Sequence, residues 1–164
     1  MARRNASTFI ALGGVMAALA VAVMCMGTLI PAATFICPMI CICLQAVVLK
    51  KCNSRIAWAW YGTVAILSLL MAPDKEAAAV FVFLGYYPIV KPKLDKLPLR
   101  WLWKGILFNV SVCMMYWMLM HLFGMAQLIE EFAEMGTIMI LVTLLMGNAT
   151  FFLLDRLLNL RFRV

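Results

Sequence analysis

Between Thr8 and Leu154 the chain is a succession of six apolar runs, with nearly all of its charge confined to the ends and to the short stretches between them. The runs are Thr8 to Ile30, Ala33 to Leu49, Ile56 to Ala72, Ala77 to Val90, Trp101 to Phe123 and Met135 to Leu154. A helix crosses bilayer hydrocarbon with roughly 20 residues and satisfies its own backbone there, which an open strand or loop does not. The overall composition agrees: 66% hydrophobic, 13% charged and a mean hydropathy of +1.02 lie outside the range of soluble domains. The expected fold is an all-α integral membrane protein, a compact bundle of about six transmembrane helices forming one domain over residues 1–164. The first run is expected to be retained, because after Arg3 and Arg4 it continues beyond a signal-peptide core and offers no convincing small-residue cleavage site. Prolines mark the ends of the runs: Pro31 and Pro38 near the first turn, Pro73 after the third run, and Pro92 and Pro98 around a basic loop.

Charge assigns sides, since Lys and Arg in short loops stay cytoplasmic whereas acids carry little weight. With the N-terminus inside, the inner set is Arg3, Arg4, Lys50, Lys51, Arg55, Lys91, Lys93, Lys96, Arg100, Lys104, Arg156, Arg161 and Arg163, which is 13 of the 14 basic residues. Lys75 alone falls outside, with Asp74, Glu76, Glu130, Glu131 and Glu134. Both termini are therefore expected in the cytoplasm and the membrane is expected to be a plasma membrane of the bacterial inner type. The net charge of +7 is thereby accounted for, and no nucleic-acid partner is expected. The fourth run, fourteen residues long, spans only about 21 Å as a helix, so it is expected to extend through Asp74 to Glu76 by capping and through Lys91 by snorkelling. The "DKE" stretch thus reads as a helix N-terminus, with ligand contact as the alternative. Trp58, Trp60, Tyr61, Tyr86, Tyr87, Trp101 and Trp103 are expected as anchors at the inner interface.

The first run carries the strongest pattern, "ALGGVMAALAVAVMCMG", in which Ala11, Gly14, Ala18, Ala22 and Cys25 recur at steps of three or four. Small residues let another backbone approach closely and gain dispersion contacts, which matter in lipid because burial there brings little hydrophobic gain. The face serves either packing against the second or sixth run or docking of another subunit. With its six short-looped spans and its AxxxA pattern, Ala18 to Ala22 extended back to Gly14, the chain resembles the substrate-binding membrane subunits, or S-components, of energy-coupling factor vitamin transporters. The resemblance is architectural and covers most of the length. It implies that Gly14, Ala18 and Ala22 dock on a transmembrane coupling subunit that works with ATPases, and that a small-molecule substrate sits in the outer half between the later helices and outer loops.

The residues themselves offer such a site in part. Asn109, Cys113, Tyr116, Trp117 and Met120 share one face of the fifth run, and Thr137, Asn148 and Asp155 align on the sixth. Asn109 and Asn148 lie at similar depths and are expected to hydrogen-bond, while Asp155 is expected to pair with Arg156 or Lys104. Lys75, Tyr116, Trp117, His121 and Asn109 are the candidate substrate contacts, Lys75 supplying charge for a carboxylate or phosphate and the rings supplying burial. Alternatively Lys75 pairs with Glu76 or the acidic loop. His121 is either a wetted interfacial side chain or, with Glu130, Glu131 and Glu134, part of a cation or polar-substrate site.

Cys37, Cys41 and Cys43 near Cys25, with 14 methionines, suggest soft-metal handling, but the spacing lacks paired CxxC motifs, so apolar filler is the plainer reading and no metal or other cofactor is expected. A Cys25–Cys37 disulfide is conceivable from position alone. There is no HExxH, GxSxG, P-loop or paired intramembrane carboxylate, so no catalytic activity is expected. The chain reads as a solute-binding subunit that captures a vitamin-like metabolite from outside for a separate energising complex; the alternative is a scaffold or interaction subunit that binds no solute.

Overall fold

The computed structural model describes residues 2–29, 33–96, 98–121, 123–124, 130, 133–134 and 136–162; Ile30, Pro31, Glu131, Met135 and Arg163 lie outside them. Helix α1, Ala2–Cys25, runs on into a 3-10 turn, Met26–Leu29. It is followed by α2 (Ala33–Lys51), α3 (Ser54–Met71), α4 (Lys75–Leu84), α5 (Tyr87–Leu94), α6 (Arg100–His121) and α7 (Thr137–Leu157), the last ending in a π-helical turn over Leu158–Phe162. Helices α4 and α5 follow one another as a single 20-residue span, Lys75–Leu94. Five spans are long and apolar enough to cross a membrane, and α1 adds a shorter apolar stretch, Phe9–Cys25. The protein is an all-α, multi-pass membrane bundle.

Side-chain contacts set an antiparallel register. Along α1 the carbonyl of Gly13 accepts the Trp60 indole at 3.1 Å, that of Ala20 accepts the Cys41 thiol at 3.4 Å, and that of Met71 accepts the Cys25 thiol at 3.9 Å. Gly13 with Trp60 and Cys25 with Met71 place the middle and end of α1 beside the first half and end of α3, so those two helices run parallel, while Phe9 with Cys52 and Ala20 with Cys41 set α2 antiparallel to them. Helix α2 is the hub, packed on α1, α3, α4 and α5 through Cys41, Ile42, Ala46 and Val48. Helix α7 is peripheral: it packs mainly on α6, and only 17% of its span is buried in the bundle.

Local sequence explains the breaks. Asp74 caps α4 by accepting the Ala77 amide at 3.0 Å and also accepts the Thr34 hydroxyl at 2.9 Å, tying α2 to the α3–α4 turn. The step from α4 to α5 falls at Gly85, where a Cβ would stand 2.5 Å from the Phe81 carbonyl and 3.0 Å from the Tyr61 ring. Only glycine allows that approach. Pro88 then opens α5, where its missing N–H costs nothing.

Of the aromatics expected at the interface, Trp60 and Tyr87 lie in the core and Tyr61 and Tyr86 are half-buried. Trp60 and Tyr87 are almost fully buried, the Tyr61 hydroxyl donates to the Val82 carbonyl, and Tyr86 pairs with Ser111 at 3.1 Å. Each polar tip finds an internal partner, so none needs a headgroup. Trp58, Trp101 and Trp103 remain exposed.

Candidate functional site

Antiparallel packing gathers the polar groups at two ends. At one end lie the close of α1, the starts of α2 and α4 and the far end of α6. Here the Lys75 ammonium donates to the carbonyls of Leu69 at 2.8 Å and Ala72 at 2.9 Å, which α3 leaves unpaired at its C-terminus. Glu76, rather than Lys75, reaches the candidate site, accepting the Tyr116 hydroxyl at 2.7 Å.

Tyr116 and Trp117 line an open cleft of about 240 Å³ between α6 and α7, with Val112, Cys113, Met120 and Ile140. Behind it, a cavity of about 30 Å³ shares Val112, Tyr116 and Thr143 and reaches Phe35 of α2 and Val80 of α4. The walls are almost wholly apolar. Trp117 itself is 60% exposed and stacks on His121 with centroids 5.1 Å apart, while His121 Nδ1 lies 3.1 Å from the Trp117 carbonyl. The structure thus brings Tyr116, Trp117 and His121 along one flank of α6 and places Lys75 at the end of α3. Asn109 lies deeper, where its amide exchanges contacts of 3.1 and 3.5 Å with Asn148. Each asparagine also donates 2.8 Å to the carbonyl four residues earlier, so the pair satisfies itself and pins α6 to α7. The six cysteines are free thiols, and among the described residues no cluster of His, Cys, Asp and Glu is arranged to hold a metal.

Helix α1 presents the second candidate surface. Ala11, Gly14, Ala18 and Ala22 are exposed, whereas Gly13, Ala20, Val21 and Met24 face the core. A Cβ on Gly14 would meet nothing within 4 Å, and an open groove of about 450 Å³ runs beside it along Gly13, Ala17, Ala59 and Thr63. The small-residue face is turned away from the bundle, and α1 packs on α2 and α3 with its other side.

At the opposite end is an ion network that the run pattern shows only in part. Lys91, at 0% exposure, contacts Asp95 at 3.3 Å, Asp155 at 3.8 Å and the side-chain amide oxygen, Oδ1, of Asn159. Lys104 contacts Asp95 at 2.6 Å and both oxygens of Asp155 at 3.1 and 3.3 Å. Tyr87 donates its hydroxyl to Asp155, and the Asn159 amide donates to the same carboxylate at 3.2 Å. Two cations face two anions, so the charge balances. Lys91 does not snorkel, and Asp155 pairs with Lys104, not Arg156.

No family model, curated protein or solved structure matches the chain. Its function must therefore be argued from these three places: the α6–α7 cleft, the α1 face and the ion network.

Only Asp95 among the network carboxylates lies outside the spans. Burial alone would raise its carboxyl, but hydrogen bonding to Lys104, the charges of Lys91 and Lys104 and a hydrogen bond to Lys91 hold it below the usual value. A depressed carboxyl stabilises the fold above its unfolded value, near 4, and loses that contribution as pH falls through the folded value. The stability gap between the wild type and Asp95→Asn is therefore expected to stay constant from about pH 7 to 5 and to close only below about pH 4. Denaturant unfolding at each pH measures it, and a gap already closing near pH 6 would contradict the assignment.

Proposed function

We propose that the protein is a non-enzymatic subunit of a plasma-membrane uptake system, capturing a small metabolite at the Asp74 end and passing it to a separate energising complex. The observation that carries this reading is the outward turn of Ala11, Gly14, Ala18 and Ala22. A smooth face left unused by the chain's own packing suits close approach by a partner helix. Capture is supported by the separate cleft between α6 and α7: Tyr116 and Trp117 line a mostly apolar recess, and the part of α7 that borders it, Ile140 to Met146, is exposed or half-buried, whereas Asn148 and Asp155 anchor the rest of the helix. A modest shift of α7 would join the cleft to the cavity behind and enlarge it toward the several hundred Å³ usual for metabolite sites. This is also the arrangement that the resemblance to S-components implies. In this reading the ends carrying Lys50, Lys93 and Arg156 face the cytoplasm and Lys75 faces outward.

The scaffold reading has one observation in its favour, the cavity of only about 30 Å³, which holds no metabolite as it stands. Native mass spectrometry of the gently extracted chain separates the two. A stoichiometric small molecule, lost in Trp117→Ala, is the expected result for capture; a fixed protein partner with no bound molecule in any preparation would leave the scaffold. Orientation is checked apart from this, by an impermeant thiol reagent on single cysteines placed in a cysteine-free background. Lys75→Cys is expected to label in intact cells and Lys93→Cys only after lysis; labelling of position 93 in intact cells would invert the assignment.

A further inference from the structure

We infer that the corner joining α5 to α6 binds the headgroup of an anionic phospholipid. The ion network creates the need. At this end the described acids are Asp95 and Asp155, and both are taken by the buried amines of Lys91 and Lys104. Lys50, Lys51, Arg55, Lys93, Lys96, Arg100 and Arg156 are exposed, and none has an acidic partner among the described residues.

What makes the corner more than one part of a diffuse positive field is its shape and its apolar frame. Lys93, Lys96 and Arg100 are three exposed cations within eight residues, and an open concavity of about 750 Å³ is lined by Leu99, Arg100, Trp101 and Leu102. Leu99, Trp101, Leu102 and Trp103 are all exposed, although successive helical residues point about 100° apart, so the first turn of α6 projects from the bundle and is held to it by Trp101 and by the buried Lys104 that follows. Leu99 adopts φ 58, the left-handed region that a leucine enters only under constraint, and this turns the chain into α6. The Trp101 ring is fixed by stacking on Phe152 at 6.1 Å and by the Lys104 amine 5.8 Å above it. A phosphodiester accepts hydrogen bonds from the lysines and arginine while its acyl chains lie along the leucines and indoles. A zwitterionic headgroup brings its own cation and gains less.

The test uses the full chain in nanodiscs of mixed phosphatidylcholine and phosphatidylglycerol, with the lipid retained after detergent extraction read by native mass spectrometry. Phosphatidylglycerol is expected to be enriched for the wild type, and the enrichment to fall roughly tenfold or more in Lys96→Gln with Arg100→Gln. Lys50→Gln with Lys51→Gln removes the same charge from the same end and is expected to keep the enrichment. The charge-preserving pair Lys96→Arg with Arg100→Lys is expected to keep it too, which separates lost binding from lost folding. An equal fall in both neutral pairs would reduce the corner to diffuse charge and overturn the inference. Displacement of the lipid by millimolar inorganic phosphate would overturn it also, by assigning the corner to a soluble phosphate.

Discussion

Replacing Asp155 by Asn is expected to destabilise the bundle by about 3 to 5 kcal/mol, among the largest effects of any single change in this chain. The shape is nearly conserved and the Tyr87 and Asn159 contacts have an amide to meet, so the loss reports charge. With Asp155 neutral, Lys91 and Lys104 share Asp95 alone, and Lys91 is wholly buried. An uncompensated cation in that setting must be desolvated without repayment. A second change distinguishes this from simple damage: Lys91→Met added to Asp155→Asn leaves Lys104 opposite Asp95, a balanced pair, and fills the site with a flexible apolar side chain. The double variant is expected to be more stable than Asp155→Asn, with a coupling energy of opposite sign to the single costs. Denaturant unfolding in detergent micelles measures both. A cost below about 1 kcal/mol for Asp155→Asn, or a double variant no better than the sum of its parts, would dismiss the network as a stabilising unit.

The network also shows where sequence reasoning ran out. The spans were legible because length, prolines and charge-free runs are one-dimensional properties, and Asp155 with Lys104 was legible because each charge interrupts an apolar run at matching depth. Lys91 was not: at the end of a short run, snorkelling is the ordinary fate of a lysine. What the run hides is the break at Gly85, after which α5 continues for another eight residues and carries Lys91 against α7. The i,i+4 spacing of Lys91 and Asp95 was the available signal, since it puts an acid on the same helical face. Trp60 and Tyr87 turn inward for a related reason. Depth along a span can be read from position, but the direction of a side chain around the helix axis depends on neighbours that only folding supplies.

The Lys75 end illustrates the same limit. As a lone base among acids it invited a ligand, yet a lysine just after a helix end is also well placed to reach the unpaired carbonyls of the preceding helix, and that is where its ammonium lies. Asn109 and Asn148 were paired correctly from depth alone, because two amides facing one another in hydrocarbon have few other partners. The α1 pattern was legible as a small-residue face but not as an inward or outward one. Periodicity gives a stripe, and the stripe's direction came from Trp60 and Cys41, whose contacts with the Gly13 and Ala20 carbonyls fix the opposite side of α1 against the core.

That direction makes Ala18→Leu with Ala22→Leu a selective change. Both positions are exposed, so the added side chains project into lipid and are expected to alter the unfolding of the isolated chain by no more than about 0.5 kcal/mol. Against a partner helix the same two side chains occupy the space its backbone needs. Overpacking costs roughly 1 to 3 kcal/mol per site, so two sites are expected to weaken assembly by about 30-fold or more, enough to remove the partner on purification. Ala20→Leu is the control on the opposite side of α1: Ala20 is fully buried, and the change is expected to destabilise the chain itself whether or not a partner is present. The measurement is co-purification of the partner that accompanies the wild type, alongside unfolding of each isolated variant. If the double variant loses stability as Ala20→Leu does, the face belongs to the chain's own packing. If it keeps both its stability and its partner, the docking surface lies elsewhere, and the Gly13, Ala59 and Thr63 groove loses the support it draws from Gly14, Ala18 and Ala22.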